Sequence, residues 1–211
     1  MSVTRNRSSA PPHANAAPSV HPLIRRRASS ARVFAPRAIE PRVLGALFEA
    51  ARWAPSSFNE QPWRFLVATP QEPEWLARMQ RYLEEGNTWA RAAPVLVASA
   101  YRTRFSRSEA PNPMALRDLG AAEQNLLLQA VALGLAIRQI AGFDKERLQR
   151  ELLPEGFEPG TLTALGYPLE SGAESQARRR RERRSLDEFV FGSRWGQPAF
   201  LLPGKESTSS A

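Results

Sequence analysis

Several residue types that often carry protein chemistry are absent or scarce in this chain of 211 residues. There is no cysteine, which excludes disulfides, a thiolate nucleophile, an iron–sulfur cluster and a thiolate zinc site. The two histidines, His13 and His21, lie near the N-terminus, so a Ser–His–Asp triad or a histidine metal site is not expected. Neither a P-loop nor a G-x-G-x-x-G fingerprint occurs. For an enzyme, these absences favour a borrowed cofactor.

Long apolar runs are also missing from the chain. No stretch of roughly 18 apolar residues is present, so we expect no transmembrane helix. The basic N-terminus lacks the apolar segment of a signal peptide, because Pro11, Pro12, His13 and Asn15 interrupt it. The sequence therefore predicts a cytoplasmic protein with no membrane partner.

The formal net charge of +8 is concentrated in two short segments. Residues 1–32 hold six arginines and no acid, while residues 177–184 hold six arginines and the single acid Glu182. These segments contribute +6 and +5, so the remainder of the chain carries −3. Local arginine clusters on a slightly acidic body suit a small anion better than a broad nucleic-acid surface. Solvated arginine-rich tails are the alternative interpretation.

The apolar pattern predicts helices mixed with strands. Residues 1–20 are rich in Ser, Pro, Ala and Asn, and we expect a disordered tail there. The long segment Met114–Leu133 is apolar around most of its circumference, which is typical of a helix buried in a core or between subunits. Helices are also expected from Pro41 to Trp53 and at Glu74–Leu83 and Asp144–Leu152, and strands at Phe65–Ala68, Pro94–Ala100, Ala136–Ile140 and Leu162–Tyr167.

The most informative segment is Ala54–Phe65, which reads A-P-S-S-F-N-E-Q-P-W-R-F and joins the first long helix to the first strand. Its prolines fix backbone angles, and its hydroxyls and carboxamides can hold a polar, planar ligand. A rigid loop that caps its own backbone is the alternative. The segment closely resembles a motif of the nitroreductase family, FMN-dependent enzymes that reduce small electron-poor molecules. The resemblance extends roughly from Leu23 to Pro198.

The resemblance implies a set of FMN contacts. In the Arg-x-Ser-x-Arg-x-Phe phosphate element of the family, Ala28 stands where the first arginine is expected, and Arg27 lies one residue earlier. Asn87 resembles a residue near the polar edge of the flavin, although a helix C-cap explains it equally well. No catalytic residue and no metal ligand are expected. The implied cofactor-binding residues are Arg27, Ser29, Ser30, Arg32, Pro55, Ser56, Ser57, Asn59, Gln61, Asn87, Ala141, Gly142, Arg181 and Arg183.

The resemblance also implies a fold and an assembly. The expected fold is α+β, a three-layer sandwich with a central mixed β-sheet flanked by helices, in an intertwined homodimer where the motif loop reaches the neighbour's flavin. A single domain is expected over residues 21–203, with residues 191–203 packing on the partner subunit. Residues 1–20 and 204–211 are expected to be disordered.

The resulting hypothesis is an FMN-dependent oxidoreductase. It would transfer a hydride from NADH or NADPH through flavin N5 to a small electron-poor acceptor such as a nitroaromatic or a quinone. The same fold could instead support dehalogenation or ene reduction. In a different class, the arginine runs could bind nucleic acid or an acidic partner protein, although the acidic body argues against this. Asp118 and Asn125 share one face of the long helix, and a structural role is favoured for both.

Overall fold

The computed structural model describes residues 19–29, 34–169 and 181–200. The chain divides into two units, Met1–Gln176 and Ala177–Ala211. The first unit contains five helices and four strands among its described residues. They are α1 Pro22–Arg26, α2 Pro41–Arg52, β1 Trp63–Ala68, α3 Pro73–Gln80, β2 Val95–Arg102, α4 Ala115–Ala132, β3 Ala136–Ile140, α5 Lys145–Leu152 and β4 Phe157–Gly166.

The four strands form one sheet in the order β1-β2-β4-β3. Strand β2 lies inside the sheet, as its continuous apolar sequence predicts, and β1 and β3 are the edge strands. All three strand pairings are antiparallel, so the expectation of a mixed sheet is wrong for the described residues. The register of β2 against β4 shifts between Ala98 and Ala100, where Gly160 and Thr161 of β4 lie opposite the single residue Ser99 and form a β-bulge.

Helices cover both faces of the sheet and produce the predicted three layers. On one face, Leu47 of α2 and Leu119 of α4 pack with Val97 of β2 in one buried cluster. On the other face, Met79 of α3 and Leu148 of α5 belong to a second buried cluster. Because strand side chains alternate between faces, adjacent residues of β2 contribute to different clusters. The fold class is therefore α+β, as predicted.

Local signals account for several helix boundaries. Pro41 occupies the first turn of α2, where its missing N–H costs no hydrogen bond. The Asp144 side chain accepts a hydrogen bond from the Arg147 N–H at 2.9 Å and caps α5. His21 caps α1 in a similar way, because its Nδ1 accepts from the Leu23 N–H at 3.2 Å. Helix α3 ends at Gln80, three residues before the predicted end, and a 3-10 segment follows at Glu85–Ala92.

The second unit is described over residues 181–200. It contains a 3-10 turn at Leu186–Glu188, where Ser185 and Glu188 form a reciprocal capping box. A tight turn follows, in which the Gly192 N–H donates to Gln197 O and the Ala199 N–H donates to Val190 O. The predicted single domain over 21–203 stays a prediction. Most of the predicted tails lie outside the described residues. No helix within 19–29, 34–169 and 181–200 is long and apolar enough to cross a membrane.

Candidate cofactor site

The motif loop between α2 and β1 has an unusual backbone. Phe58, Asn59 and Gln61 have positive φ angles of 53°, 57° and 51°, a region that non-glycine residues seldom occupy. Asn tolerates this conformation, whereas a bulky residue such as Phe does not favour it. The Gln61 N–H donates to Ser56 Oγ at 3.0 Å, which closes the loop across the strained residues. Non-glycine residues in this region often mark functional sites, because the surrounding structure must hold them there.

A buried carboxylate attaches the loop to helix α4. Asp118 is fully buried, and its Oδ2 accepts a hydrogen bond from the Ser57 N–H at 2.8 Å. Its Oδ1 accepts a hydrogen bond from Arg117 Nη1 at 3.2 Å. Asp118 lies in the first turn of α4, where the helix dipole favours a negative charge. Asn125, which lies further along the same face of α4, donates from Nδ2 to Ala50 O at 3.1 Å. Both residues therefore have structural contacts, as favoured from the sequence.

A second attachment joins the motif loop to the exposed hairpin at residues 102–113. Glu60 accepts hydrogen bonds from the Ser106 N–H at 2.7 Å and from Ser106 Oγ at 3.2 Å. The aromatic rings of Phe58 and Phe105 meet edge-to-face, with centroids 5.8 Å apart. Within the hairpin, the Phe105 N–H donates to Ala110 O at 2.9 Å. The sequence did not indicate these links, because the partners are more than forty positions apart.

The strand end next to the motif loop carries a perturbed tyrosine. Tyr101 pairs with Trp63, the first residue of β1. Burial raises the pKa of Tyr101 to about 12, and the hydrogen bond from its hydroxyl to Glu158 contributes in the same direction. The neutral phenol is therefore the stable form of Tyr101 in the folded chain at ordinary pH.

The other predicted ring contacts meet at the opposite edge of the sheet. Asn87 Nδ2 donates to the Gly142 O at 2.8 Å, although the residues are 55 positions apart. Asn87 Oδ1 accepts from Trp89 Nε1 at 3.2 Å, which fixes the carboxamide orientation. A Cβ added to Gly142 would lie 2.8 Å from Asn87 Nδ2 and 2.9 Å from Glu84 Oε2. A side chain at position 142 would therefore require the ends of the Asn87 and Glu84 side chains to move.

These two groups of residues are well separated within one chain. The motif loop enters edge strand β1, and Gly142 follows the opposite edge strand β3. Three strand spacings of about 4.8 Å separate the edges by about 14 Å. The groups also belong to different layers, because Trp63 packs with the α2–α4 cluster while Phe143 packs with the α3–α5 cluster. One chain thus presents two half-sites that face different surroundings.

The predicted phosphate contacts are only partly described. Arg27 is the C-cap of α1, where its N–H donates to Leu23 O at 2.9 Å, and Ser29 follows it. Ser30 and Arg32 lie outside the described residues. Arg181 and Arg183 are exposed in the second unit. No group of acidic or histidine side chains in 19–29, 34–169 or 181–200 is arranged to bind a metal ion.

Comparison with known proteins agrees with this architecture. The model of the nitroreductase family matches residues 24–88 and 70–167. A protein of Archaeoglobus fulgidus, named "Putative NADH dehydrogenase/NAD(P)H nitroreductase", is 33% identical over 144 residues, which are 66% of this chain and 80% of that protein. A protein of Thermus thermophilus named NADH dehydrogenase is 29% identical over 165 residues, covering 63% of this chain and 79% of that protein.

A solved structure described as an oxidoreductase containing FMN has a similar fold. It superposes with a TM-score of 0.74 and 30% sequence identity over 92% of this chain and 98% of that one. The chain therefore belongs to the nitroreductase family. The predicted family and the predicted α+β fold are both confirmed.

Proposed function

We propose that this protein is an FMN-dependent oxidoreductase that uses NADH or NADPH to reduce small electron-poor molecules. The observation that carries the proposal is the meeting of Asn87 and Gly142 at one edge of the sheet. The sequence resemblance assigned both residues to the flavin ring, and the fold brings them within hydrogen-bond distance. The names of the Archaeoglobus fulgidus relative and the FMN-containing structure support the reductant and the cofactor.

The ring half-site has the chemistry that a flavin edge requires. The Asn87 amide nitrogen carries two N–H groups, and the bond to Gly142 O uses one of them. We assign the second N–H to a polar atom of the ring. The absence of a side chain at Gly142 lets the Ala141–Gly142 backbone approach the ring closely, where its amides can stabilise negative charge.

The phosphate is assigned to the arginine-rich segments. A phosphate dianion is bound best by two or more arginines together with a hydroxyl. Arg27, Ser29, Ser30 and Arg32 form the first such set, and Arg181 and Arg183 form the second. The residue Ala28 stands at the position of the family's first arginine, and Arg27 is our candidate to replace it.

The separation of the half-sites favours a homodimer. One ring cannot contact both Gly142 and the motif loop of the same chain, given about 14 Å between the sheet edges. In our proposal, the partner subunit supplies the loop with Pro55, Ser56, Ser57, Asn59 and Gln61. Leu116 on α4 is 57% exposed, and Trp195 in the second unit is 92% exposed, which is consistent with surfaces that pack in a dimer.

The protein's own residues position the reactants rather than act on them chemically. Bound FMN would supply the chemistry, namely hydride transfer from NADH or NADPH and electron transfer to the acceptor. Asp118 holds the motif loop through Ser57, and this contact presents Asn59 and Gln61 in fixed geometry. We propose a nitroaromatic or quinone acceptor and a cytoplasmic location. The family match and the acidic body favour an enzyme over a nucleic-acid-binding protein.

A comparison of FMN with riboflavin tests the proposal, because the two flavins differ only in the phosphate. The wild-type protein is titrated with each flavin, and binding is followed by flavin fluorescence. Arg27→Ala removes a charged contact and should weaken FMN binding roughly 10- to 150-fold while leaving riboflavin binding unchanged. Asn87→Ala acts at the ring and should weaken both flavins by the same factor.

Arg5→Ala is the matched control for charge, because Arg5 lies in the same basic N-terminal segment but outside the proposed site. It should leave both affinities unchanged. A folded wild-type protein that binds neither flavin would refute the proposed function. Equal losses in Arg5→Ala and Arg27→Ala would show that the phosphate is held only by diffuse charge.

A further inference from the structure

We propose that Phe58 and Phe105 form an aromatic platform that selects planar aromatic electron acceptors, and that Glu60 holds the platform together. The inference rests on the proposed function, since it assigns the acceptor contact of the same site. Phe58 lies between Ser57 and Asn59, two residues assigned to the flavin. An aromatic side chain at this position would therefore border the acceptor space.

The exposure of Phe58 is not explained by packing in the chain. Its side chain is 91% exposed, although a phenylalanine normally buries most of its surface. Its backbone also holds a φ of 53°, which is unfavourable for a bulky side chain. A residue that is both strained and solvent-exposed contributes little to the stability of the fold. Such a combination indicates selection for contact with a ligand.

The hairpin at 102–113 contacts the Phe58 ring through Phe105. Phe105 contacts it edge-to-face at 5.8 Å, and this geometry leaves a ring face available for stacking. The carboxylate of Glu60 accepts both the N–H and the hydroxyl of Ser106, the residue after Phe105. Glu60 is thus a positioning residue that couples the two loops. The exposed face of the Phe58 ring offers a flat π surface, which suits a planar electron-poor ring such as a nitroarene or quinone.

Acceptor preference provides the main test. Purified holoprotein is assayed with NADH and either 1,4-naphthoquinone, which is planar, or ferricyanide, which accepts electrons without stacking. Phe58→Leu should lower kcat/KM for naphthoquinone roughly 3- to 10-fold, mostly through KM, while the value for ferricyanide stays unchanged. Phe58→Tyr keeps the ring and should restore wild-type values. Trp53→Leu is the control, because Trp53 is a 74% exposed aromatic outside the platform.

Two further variants add readouts besides turnover, namely unfolding stability and proteolysis. Phe58→Asn replaces a strained residue with one that tolerates positive φ, so unfolding stability should stay equal or rise while naphthoquinone reduction falls. Glu60→Ala should increase tryptic cleavage after Arg104 and Arg107, detected by mass spectrometry. Glu155→Ala, which changes an exposed glutamate elsewhere, should leave cleavage at these two sites unchanged.

The outcomes separate this inference from the proposed function. A wild-type protein that does not bind FMN would refute both the proposed function and the aromatic platform. A Phe58→Leu variant that retains FMN and keeps the wild-type ratio of naphthoquinone to ferricyanide activity overturns the platform alone. Equal losses for both acceptors also overturn it, because they show a defect in the flavin site. Unchanged tryptic cleavage in Glu60→Ala overturns the role of Glu60.

Discussion

Replacement of Asp118 by alanine should destabilise the protein and weaken its flavin site together. The carboxylate is fully buried and accepts the Ser57 N–H at 2.8 Å, so its removal leaves a partly buried donor without its partner. A hydrogen bond to a charged group contributes about 1.5–3 kcal/mol, and we expect a loss of about 2–3 kcal/mol in the free energy of unfolding. For a chain of this size, that corresponds to a Tm lower by roughly 4–12 °C.

The neighbouring arginine provides the matched control. Arg117 contacts the same carboxylate at 3.2 Å, but its side chain is 67% exposed. Arg117→Ala should therefore cost at most about 1 kcal/mol. Asp118→Asn should be intermediate, because an amide oxygen can accept the Ser57 N–H but as a weaker, neutral acceptor. Unfolding in urea and FMN titration are measured at one fixed protein concentration, since assembly and ligand binding shift apparent stability. An Asp118→Ala variant as stable as wild type, or no more affected than Arg117→Ala, would refute the anchoring role.

Three further results are expected. Gly142→Ala should fold but bind FMN more weakly, because its Cβ would lie 2.8 Å from the Asn87 side chain. Gly86→Ala is the control and should bind FMN normally, because no atom lies within 4 Å of the added Cβ. Equal affinities in the two variants would contradict the ring assignment. Because the pKa of Tyr101 is raised to about 12, its contribution to the free energy of unfolding should be complete below pH 10 and lost as the pH rises toward 12. Urea titrations should show that Tyr101→Phe loses less unfolding free energy than the wild type over that pH range. Deletion of residues 191–211 should weaken dimerisation and FMN retention together in light scattering and desalting experiments, and a truncated dimer that retains FMN fully would contradict a partner-binding role.

The sequence predicted regular elements where local signals are strong. The strand Ala136–Ile140 has the predicted bounds, and the long helix predicted at Met114–Leu133 runs from Ala115 to Ala132. The sequence pattern predicts that strand β4 begins at Leu162, but the strand begins at Phe157. Pro159 and Gly160 are typical turn residues, so the sequence does not indicate the first part of this strand. In the fold, a Cβ at Gly160 would lie 2.5 Å from Ser99 Oγ. The glycine therefore permits close packing at the bulge rather than a turn.

A polar cluster at this bulge also depends on tertiary contacts. Glu123 on α4 accepts hydrogen bonds from Ser99 Oγ at 2.6 Å and from Thr161 Oγ1 at 2.7 Å. Gln139 Nε2 donates to the same carboxylate at 2.9 Å. These residues come from a helix and three strands, and no sequence pattern connects them. Such a cluster satisfies polar groups within the sheet face, where an unpaired group would be costly.

From the residues alone, the chain's periodicity, prolines and capping side chains determined its helices and strands, because these signals act over a few positions. The motif at Ala54–Phe65 was sufficient to indicate the family and the type of ligand. Tertiary structure alone decided that Asp118 holds Ser57, that Glu60 joins the hairpin, and that Asn87 meets Gly142 on the edge opposite the motif loop. Such contacts join residues about 46 to 61 positions apart, and their geometry follows from strand order and layer packing, which local sequence does not encode.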